Sequence, residues 1–309
     1  MFTNKKTFGI YILLFSFILL MTLVGCSSPG NNSNDGGTGT VSPPPTHAPS
    51  PSVRPSPSVS PSPSSPNNDS PSVDYSKTGP YSTTTKTFTD FTVYCPRTLN
   101  TNGVKHPVIT WGNGTGATPS SYSGLLRHLA SYGFVVVCSN STMTGSGTEM
   151  KNGIDLMTTE NTSSSSFFYN KLNLNAIGAC GHSQGGGGTI AAAKDARIKC
   201  SSPIQPMQTS PVGVQGPMLI ITGSADGIIS SSSVQSLVFN RCTRTAVFAE
   251  LQGADHMAPT GISPSPAILK YVTAWFQYYL FNKTSLRTMF LGTNSTISQD
   301  ANWRVLTKE

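Results

Sequence analysis

The chain has 309 residues, with 20 Lys and Arg against 13 Asp and Glu, a formal net charge of +7, and 37% hydrophobic residues. The positive charges are dispersed and are not interleaved with aromatics in a stripe, which argues against a nucleic-acid partner. Six cysteines form no CxxC pair and five histidines are scattered, so no metal site is expected either.

In chain order, residues 1–25 read as a secretory signal. Lys5 and Lys6 give the positive start, and Ile10 to Leu23 give an apolar run too short for a membrane span. The run ends in "LVGC", which resembles a bacterial lipobox. That implies cleavage before Cys26, lipidation of its sulfur and a membrane anchor. The competing reading is an ordinary signal with a chance cysteine. Residues 26–75 then hold twelve of the 23 prolines among Ser, Asn and Gly. Such a Pro/Ser tract favours polyproline II and cannot bury enough surface to fold. At about 3.1 Å per residue it could set a domain on the order of 100 Å from a membrane, or serve as a plain spacer.

Residues 76–309 suit one large domain. Short apolar runs recur at Phe91–Tyr94, Pro107–Trp111, Phe134–Cys138, Ala176–Cys180, Met218–Thr222 and Ala246–Leu251. Near-continuous apolarity, as in "GFVVVC" and "PMLIIT", predicts strands buried on both faces. Helical patterns lie between them: Tyr122–Ser131, the alanine-rich Gly186–Ala196, and Ser265–Phe281. The alternation predicts an α/β fold, a mostly parallel central sheet with helices on both faces. The final stretch, Lys283–Glu309, has apolar anchors in "TMFLG" and "ANWRVL" and is expected to pack back on the domain, where it could border a cleft. Cys95, Cys138, Cys180, Cys200 and Cys242 could form disulfides if exported. Their number is odd, and spacing does not reveal any pairing. Cys180 reads as a small buried residue.

The stretch "GHSQGG", Gly181 to Gly186, follows an apolar strand and precedes a helix. This is the setting of a Gly-x-Ser-x-Gly nucleophile elbow, in which a strained turn lifts a serine hydroxyl above the sheet. A phosphate loop would need Gly-Lys-Ser/Thr, which is missing; a plain glycine turn is the remaining alternative. As nucleophile, Ser183 needs a base. Of the domain's histidines, His106 precedes a strand, His128 sits among helical leucines, and His182 cannot turn back to its neighbour's hydroxyl. His256, in the loop after what reads as the last strand, is the best base. Asp226, in the loop after "LIITG", is favoured as the acid over Asp255, which is adjacent to His256, and over Asp195, which reads as a surface charge. The backbone N–H of Gln184 and that of Thr115 are the candidate oxyanion donors, with Gly114 or Gly116 as fallbacks for the second. These groups suffice for acyl transfer through an acyl-enzyme without a cofactor.

Taken together, "WGNGTG", "ASYGFVVV", "GHSQGGGG", "GSADGII" and "GADHMAP" resemble the cutinase and poly(ethylene terephthalate)-hydrolase branch of the α/β-hydrolases, which is related to dienelactone hydrolases and chlorophyllases. The resemblance covers residues 105–280. It implies an α/β-hydrolase fold and a carboxylic-ester hydrolase with Ser183, Asp226 and His256 as its triad. Thr115 and Gln184 then fall on the oxyanion positions. It also implies that Thr115, Gln184, Met207, Ile228 and Met257 line the substrate cleft. At several of these this chain departs from the family's plastic-active members, which usually carry an aromatic residue at 115, a methionine at 184, a tryptophan at 207 and often a phenylalanine at 257. A less aromatic, slightly more polar cleft is therefore expected, with an ester, small or polymeric, as its partner. Another serine hydrolase (lipase, peptidase or acyltransferase) and a non-catalytic surface lipoprotein are the alternatives.

Overall fold

The computed structural model describes residues 73–309. The signal, the lipobox cysteine and nearly all of the Pro/Ser tract lie outside the described residues. In chain order the elements are β1 (Thr83–Thr87), β2 (Phe91–Pro96), β3 (His106–Gly112), α1 (Ser123–Ser131), β4 (Val135–Ser139), α2 (Thr148–Thr162), β5 (Leu172–His182), α3 (Gln184–Ala192), β6 (Ile198–Ile204), β7 (Met218–Gly223), α4 (Ser231–Leu237), β8 (Ala246–Leu251), α5 (Pro266–Leu280) and β9 (Trp303–Lys308), with short helical turns between some of them. The nine strands form one sheet in the order β1-β2-β4-β3-β5-β6-β7-β8-β9. Strands β4 through β8 in that order run parallel, while β1, β2 and β9 join through antiparallel pairings, with β1 and β9 at the two edges.

Each apolar run predicted as a strand is a strand, and each is buried along nearly its whole length because helices cover both faces. On one face, Ile109, Val136, Cys138 and Leu219 meet Leu125, Leu126 and Leu129 of α1 and Val272, Trp275 and Phe276 of α5. On the other, Val108, Val135, Val137 and Ile220 meet Met150, Ile154 and Met157 of α2, Ile190 of α3 and Val234 of α4. The C-terminal stretch packs on the domain through buried Phe290, Leu291 and Trp303.

Three strands and the helices α2 and α4 were not foreseen, and α3 differs from its expected bounds. β1 is "TTTKT", an edge strand with no apolar residue. β6 carries Ser201, Ser202 and Pro203 at the centre of a parallel sheet, where proline argues against a strand. β9 lies beyond β8 and pairs with it antiparallel, so β8 is not the last strand in sequence. Helix α2 presents Met150, Ile154 and Met157 at helical spacing, a pattern diluted by polar neighbours. Helix α3 starts and ends earlier than the alanine run suggested, because the chain turns at Asp195, whose backbone and carboxylate accept Ile198 N–H and Arg197 N–H.

All five described cysteines are buried and unpaired. Burial pushes the Cys95 thiol up to about 12, and raises Cys138, Cys180 and Cys200 further. Buried thiols held protonated are inert. Ellman's reagent should therefore titrate none of the five in the native domain and all of them after denaturation. A shortfall in the denatured count would reveal a disulfide.

Candidate active site

The site forms at the carboxyl ends of the parallel strands, where open α/β sheets gather their functional groups. β5 ends at His182 and α3 begins at Gln184, so Ser183 alone makes the reversal. Its backbone is left-handed, φ 56° and ψ −119°, an arrangement that costs a non-glycine residue about 1–3 kcal/mol. Three bonds hold it there. Ser183 N–H donates to Ile204 O at 3.0 Å, and Ser183 O accepts Gly187 N–H at 3.1 Å and Met207 N–H at 2.9 Å.

The elbow glycines are needed for space. A Cβ on Gly181 would lie 2.4 Å from Gly185 O, and one on Gly185 would lie 2.1 Å from Gly112 O. The next three glycines of α3 face the backbone of Ile204–Met207 and Thr144 in the same way. Their helix penalty of about 1 kcal/mol each relative to alanine is thus offset by close approach of the helix to the loops around the site.

Around this turn, three residues far apart in sequence meet. His256 Nε2 lies 3.0 Å from Ser183 Oγ. His256 Nδ1 lies 2.7 Å from Asp226 Oδ2. The other oxygen of Asp226 accepts the N–H groups of Ile228 and Ile229, each at 2.8 Å, and the side chain is wholly covered. Burial works to raise the Asp226 carboxyl. The bonds from His256, Ile229 N–H and Ile228 N–H outweigh it, and the net shift is downward. The group stays ionised beside an imidazole that is itself only 8% exposed.

The rivals lie elsewhere. The Asp255 carboxylate turns back to Met257 N–H at 2.9 Å. Asp195 is paired with Arg197. His106 faces Gly133 O at 2.7 Å and His128 faces Tyr75 O at 2.9 Å, both buried. His182 is buried too, with both ring nitrogens occupied by Tyr122 and Gln205.

The loop after β3 approaches the serine. A Cβ on Gly114 would sit 3.4 Å from Ser183 Cβ. Gly114 N–H is used by Tyr122 Oη at 3.0 Å and Gly116 N–H by Thr142 O at 3.1 Å. Thr115 N–H, between them, has no acceptor among the described residues, nor does Gln184 N–H at the first turn of α3. Thr115, next to Gly114, and Gln184, next to Ser183, thus keep N–H groups without an acceptor among the described residues, while both fallback glycines are already engaged. Asn113, which sequence reasoning passed over, fixes this loop: it accepts Trp111 Nε1–H at 3.1 Å and donates to Ser139 O at 2.7 Å and Ser141 O at 2.9 Å.

Exposed apolar side chains lie next to the triad residues: the Met207 N–H bonds Ser183 O, the Ile228 N–H bonds Asp226 Oδ1, and Met257 follows His256. Met207, Ile228 and Met257 are 44%, 48% and 57% exposed. Met143, which the sequence reading missed, is equally open and accepts Gln184 Nε2–H at 3.6 Å through its sulfur. The Gln184 carboxamide is further occupied by Thr144 N–H at 3.1 Å, so it is tied to the protein. The signal for Met143 was its place in the loop after β4, next to the strand that carries the Asn113 loop. Among the described residues there is no cluster of His, Cys, Asp and Glu able to hold a metal ion.

The profile of the PET hydrolase-like family matches residues 58–305. Among curated proteins, a cutinase of Thermobifida alba is 28% identical over 242 residues, spanning 72% of this chain and 77% of its own. A cutinase of Thermobifida cellulosilytica is 27% identical over 234 residues, 70% of this chain and 86% of its own. A bis(hydroxyethyl) terephthalate hydrolase of Streptomyces coelicolor is 27% identical over 203 residues, 62% of this chain and 63% of its own.

Two stability outcomes follow. Gly185→Ala, which forces a Cβ into Gly112 O, should lower the melting temperature steeply, whereas Gly227→Ala, where a Cβ meets nothing within 4 Å, should leave it near that of the parent. Equal melting temperatures would contradict the close approach. Because Asp226 is depressed in the fold, its stabilisation is complete above the unfolded carboxyl range near ~3.9 and is lost as pH falls through the lower folded value. The stability gap between the parent and Asp226→Asn should therefore narrow below about pH 4; a gap that widens there would reverse the sign.

Proposed function

Because the chain belongs to the PET hydrolase-like family, we propose that Ser183, His256 and Asp226 are the working triad of its carboxylic-ester hydrolysis and that aromatic polyesters and their short hydroxyalkyl esters are its substrate class. The observation that carries the triad is the convergence of Oγ, imidazole and carboxylate at 3.0 and 2.7 Å across three separate loops. His256 Nε2 takes the Ser183 proton as Oγ attacks the ester carbonyl. Asp226 holds the imidazole through Nδ1–H and offsets the charge that appears on it. The N–H groups of Gln184 and Thr115 receive the oxyanion. The alcohol leaves with the proton from His256, and water then repeats the sequence on the acyl-Ser183 ester. Apart from the substrate and that water, every group that acts in these steps belongs to this chain.

The substrate class draws support from the relatives, which include cutinases and a bis(hydroxyethyl) terephthalate hydrolase, and from exposed methionines. Met143, Met207 and Met257 are flexible, polarisable and exposed. A thioether against an aromatic ring is worth about 0.3–1.5 kcal/mol, close to the roughly 0.5–1.5 kcal/mol of an aromatic pair. Methionines can thus replace part of the stacking surface that the missing aromatic residues would have supplied.

Lipidation of Cys26 would place this domain outside the cytoplasm on a membrane, with the Pro/Ser tract as tether. Among the described residues no helix is long and apolar enough to cross a membrane.

Ser183→Ala should lower kcat on a p-nitrophenyl ester by roughly 10⁴-fold or more, and Asp226→Asn by roughly 10⁴-fold, with the fold kept. The parent should release soluble aromatic acids from a polyester film and the Ser183→Ala chain none. Turnover of the soluble ester without release from film would remove the polymer and keep the esterase. The full chain should partition into detergent and Cys26→Ser into the aqueous phase; equal partition would remove the anchor.

A further inference from the structure

Beneath the triad runs a second, buried chain of hydrogen bonds that the mechanism above does not use. Tyr122 Oη accepts Gly114 N–H at 3.0 Å and lies 3.0 Å from His182 Nδ1. His182 Nε2 lies 3.2 Å from Gln205 Oε1. Gln205 Nε2–H donates to Asp255 O at 2.5 Å, one residue before His256. The three side chains are 2%, 3% and 1% exposed.

The donor pattern has one consistent solution. Gln205 must donate through Nε2, because its far partner is a carbonyl. Its Oε1 must then accept, so His182 carries its proton on Nε2. Nδ1 is the acceptor, and it takes the Tyr122 O–H. Every polar atom is satisfied only if His182 is neutral. Burial first, and the neighbouring His256 charge second, push its pKa down to about 3, in keeping with that form.

Two features show that the fold makes room for this chain. Gln205 adopts φ 44°, a left-handed conformation that an ordinary side chain avoids, and its backbone N–H is pinned to Ile221 O at 2.7 Å. Glycines sit at both ends. A Cβ on Gly114 would lie 2.8 Å from Tyr122 Oη, and a Cβ on Gly223 would lie 2.9 Å from Gln205 Nε2.

We propose that Tyr122, His182 and Gln205 form a directional positioning relay that ties the oxyanion loop, the nucleophile turn and the His256 loop into one rigid unit. The relay rests on the hydrolase reading given above. It touches no substrate. Its effect is to hold Thr115 N–H, Ser183 Oγ and His256 Nε2 at the spacing that the reaction needs, where a shift of about 1 Å costs roughly a hundredfold in rate. His182 is a neutral strut in it, next to the ring of His256 at a centroid distance of 4.6 Å. Because the links are in series, breaking either end frees the same loops.

The test combines kinetics with a spectrum. Tyr122→Phe and Gln205→Leu keep their bulk and remove one link each. On a soluble p-nitrophenyl ester each should lower kcat roughly tenfold to a hundredfold while KM stays within about twofold. The double variant should fall no lower than about threefold below the weaker single. A residue that merely supports packing would lower the melting temperature and leave kcat per folded molecule within about twofold. That outcome overturns the relay, as do effects that multiply in the double variant. In parallel, ¹⁵N-histidine spectra of Ser183→Ala at neutral pH should show the His182 ring as the neutral Nε2–H tautomer; the Nδ1–H tautomer or an imidazolium overturns it. The spectrum alters nothing in the relay, so it decides the matter if either variant fails to fold. Absence of ester turnover by the parent would remove the hydrolase reading, and the spectrum would still judge the relay.

Discussion

The left-handed backbone of Ser183 is the constraint on which the rest of the structure depends. A strand that must become a helix within one residue can do so only if its neighbours come very close, and they do. Gly181 and Gly185 lie where any side chain would strike the backbone of Gly112 or of the helix itself. The strain is held by bonds to Ile204 O, Gly187 N–H and Met207 N–H, so β6, α3 and the Met207 loop all brace one hydroxyl. The reward is access: an alcohol above the sheet, within reach of the imidazole of His256 and next in the chain to Gln184, whose N–H has no acceptor among the described residues.

The electrostatics are arranged around that hydroxyl in layers. The Asp226 carboxylate is buried and still ionised, because two backbone N–H groups and one imidazole face it. His182, a ring away from His256, is held neutral by its surroundings, so a positive charge on His256 meets no like charge in the wall behind it. A hydrogen-bonded floor beside exposed methionines suits substrates whose ester carbonyl must be placed closely and whose flanking groups vary.

Much of this was legible in the sequence, for a physical reason. Ser183, Asp226 and His256 each follow an apolar strand run, and the parallel sheet delivers the ends of such strands to one rim. Once the strands were recognised, the order of the three residues fixed their meeting. The Thr115 loop was legible in the same way, through "GNGTG" after β3. What escaped depends on contacts between distant loops. Gln205 matters because its side chain reaches Asp255 O, and nothing local in "SSPIQPM" announces that. The same stretch hid β6, since Ser201, Ser202 and Pro203 break the apolar run that marks a buried strand, yet β6 is buried between β5 and β7. Asn113 and Tyr122 look like loop and core residues until their partners are known. The glycines beside Gln205 and Tyr122 were visible, but the atoms they make room for were not.

The central claim is that the Ser183 hydroxyl is the activated nucleophile of this fold. Its most direct test is to treat the native chain with a fluorophosphonate, weigh it, and map the adduct by peptide mass spectrometry. One phosphonyl group on Ser183, lost when His256 is replaced by alanine, is the result the structure predicts. A folded chain that takes up no label, or carries it on another residue, would contradict it.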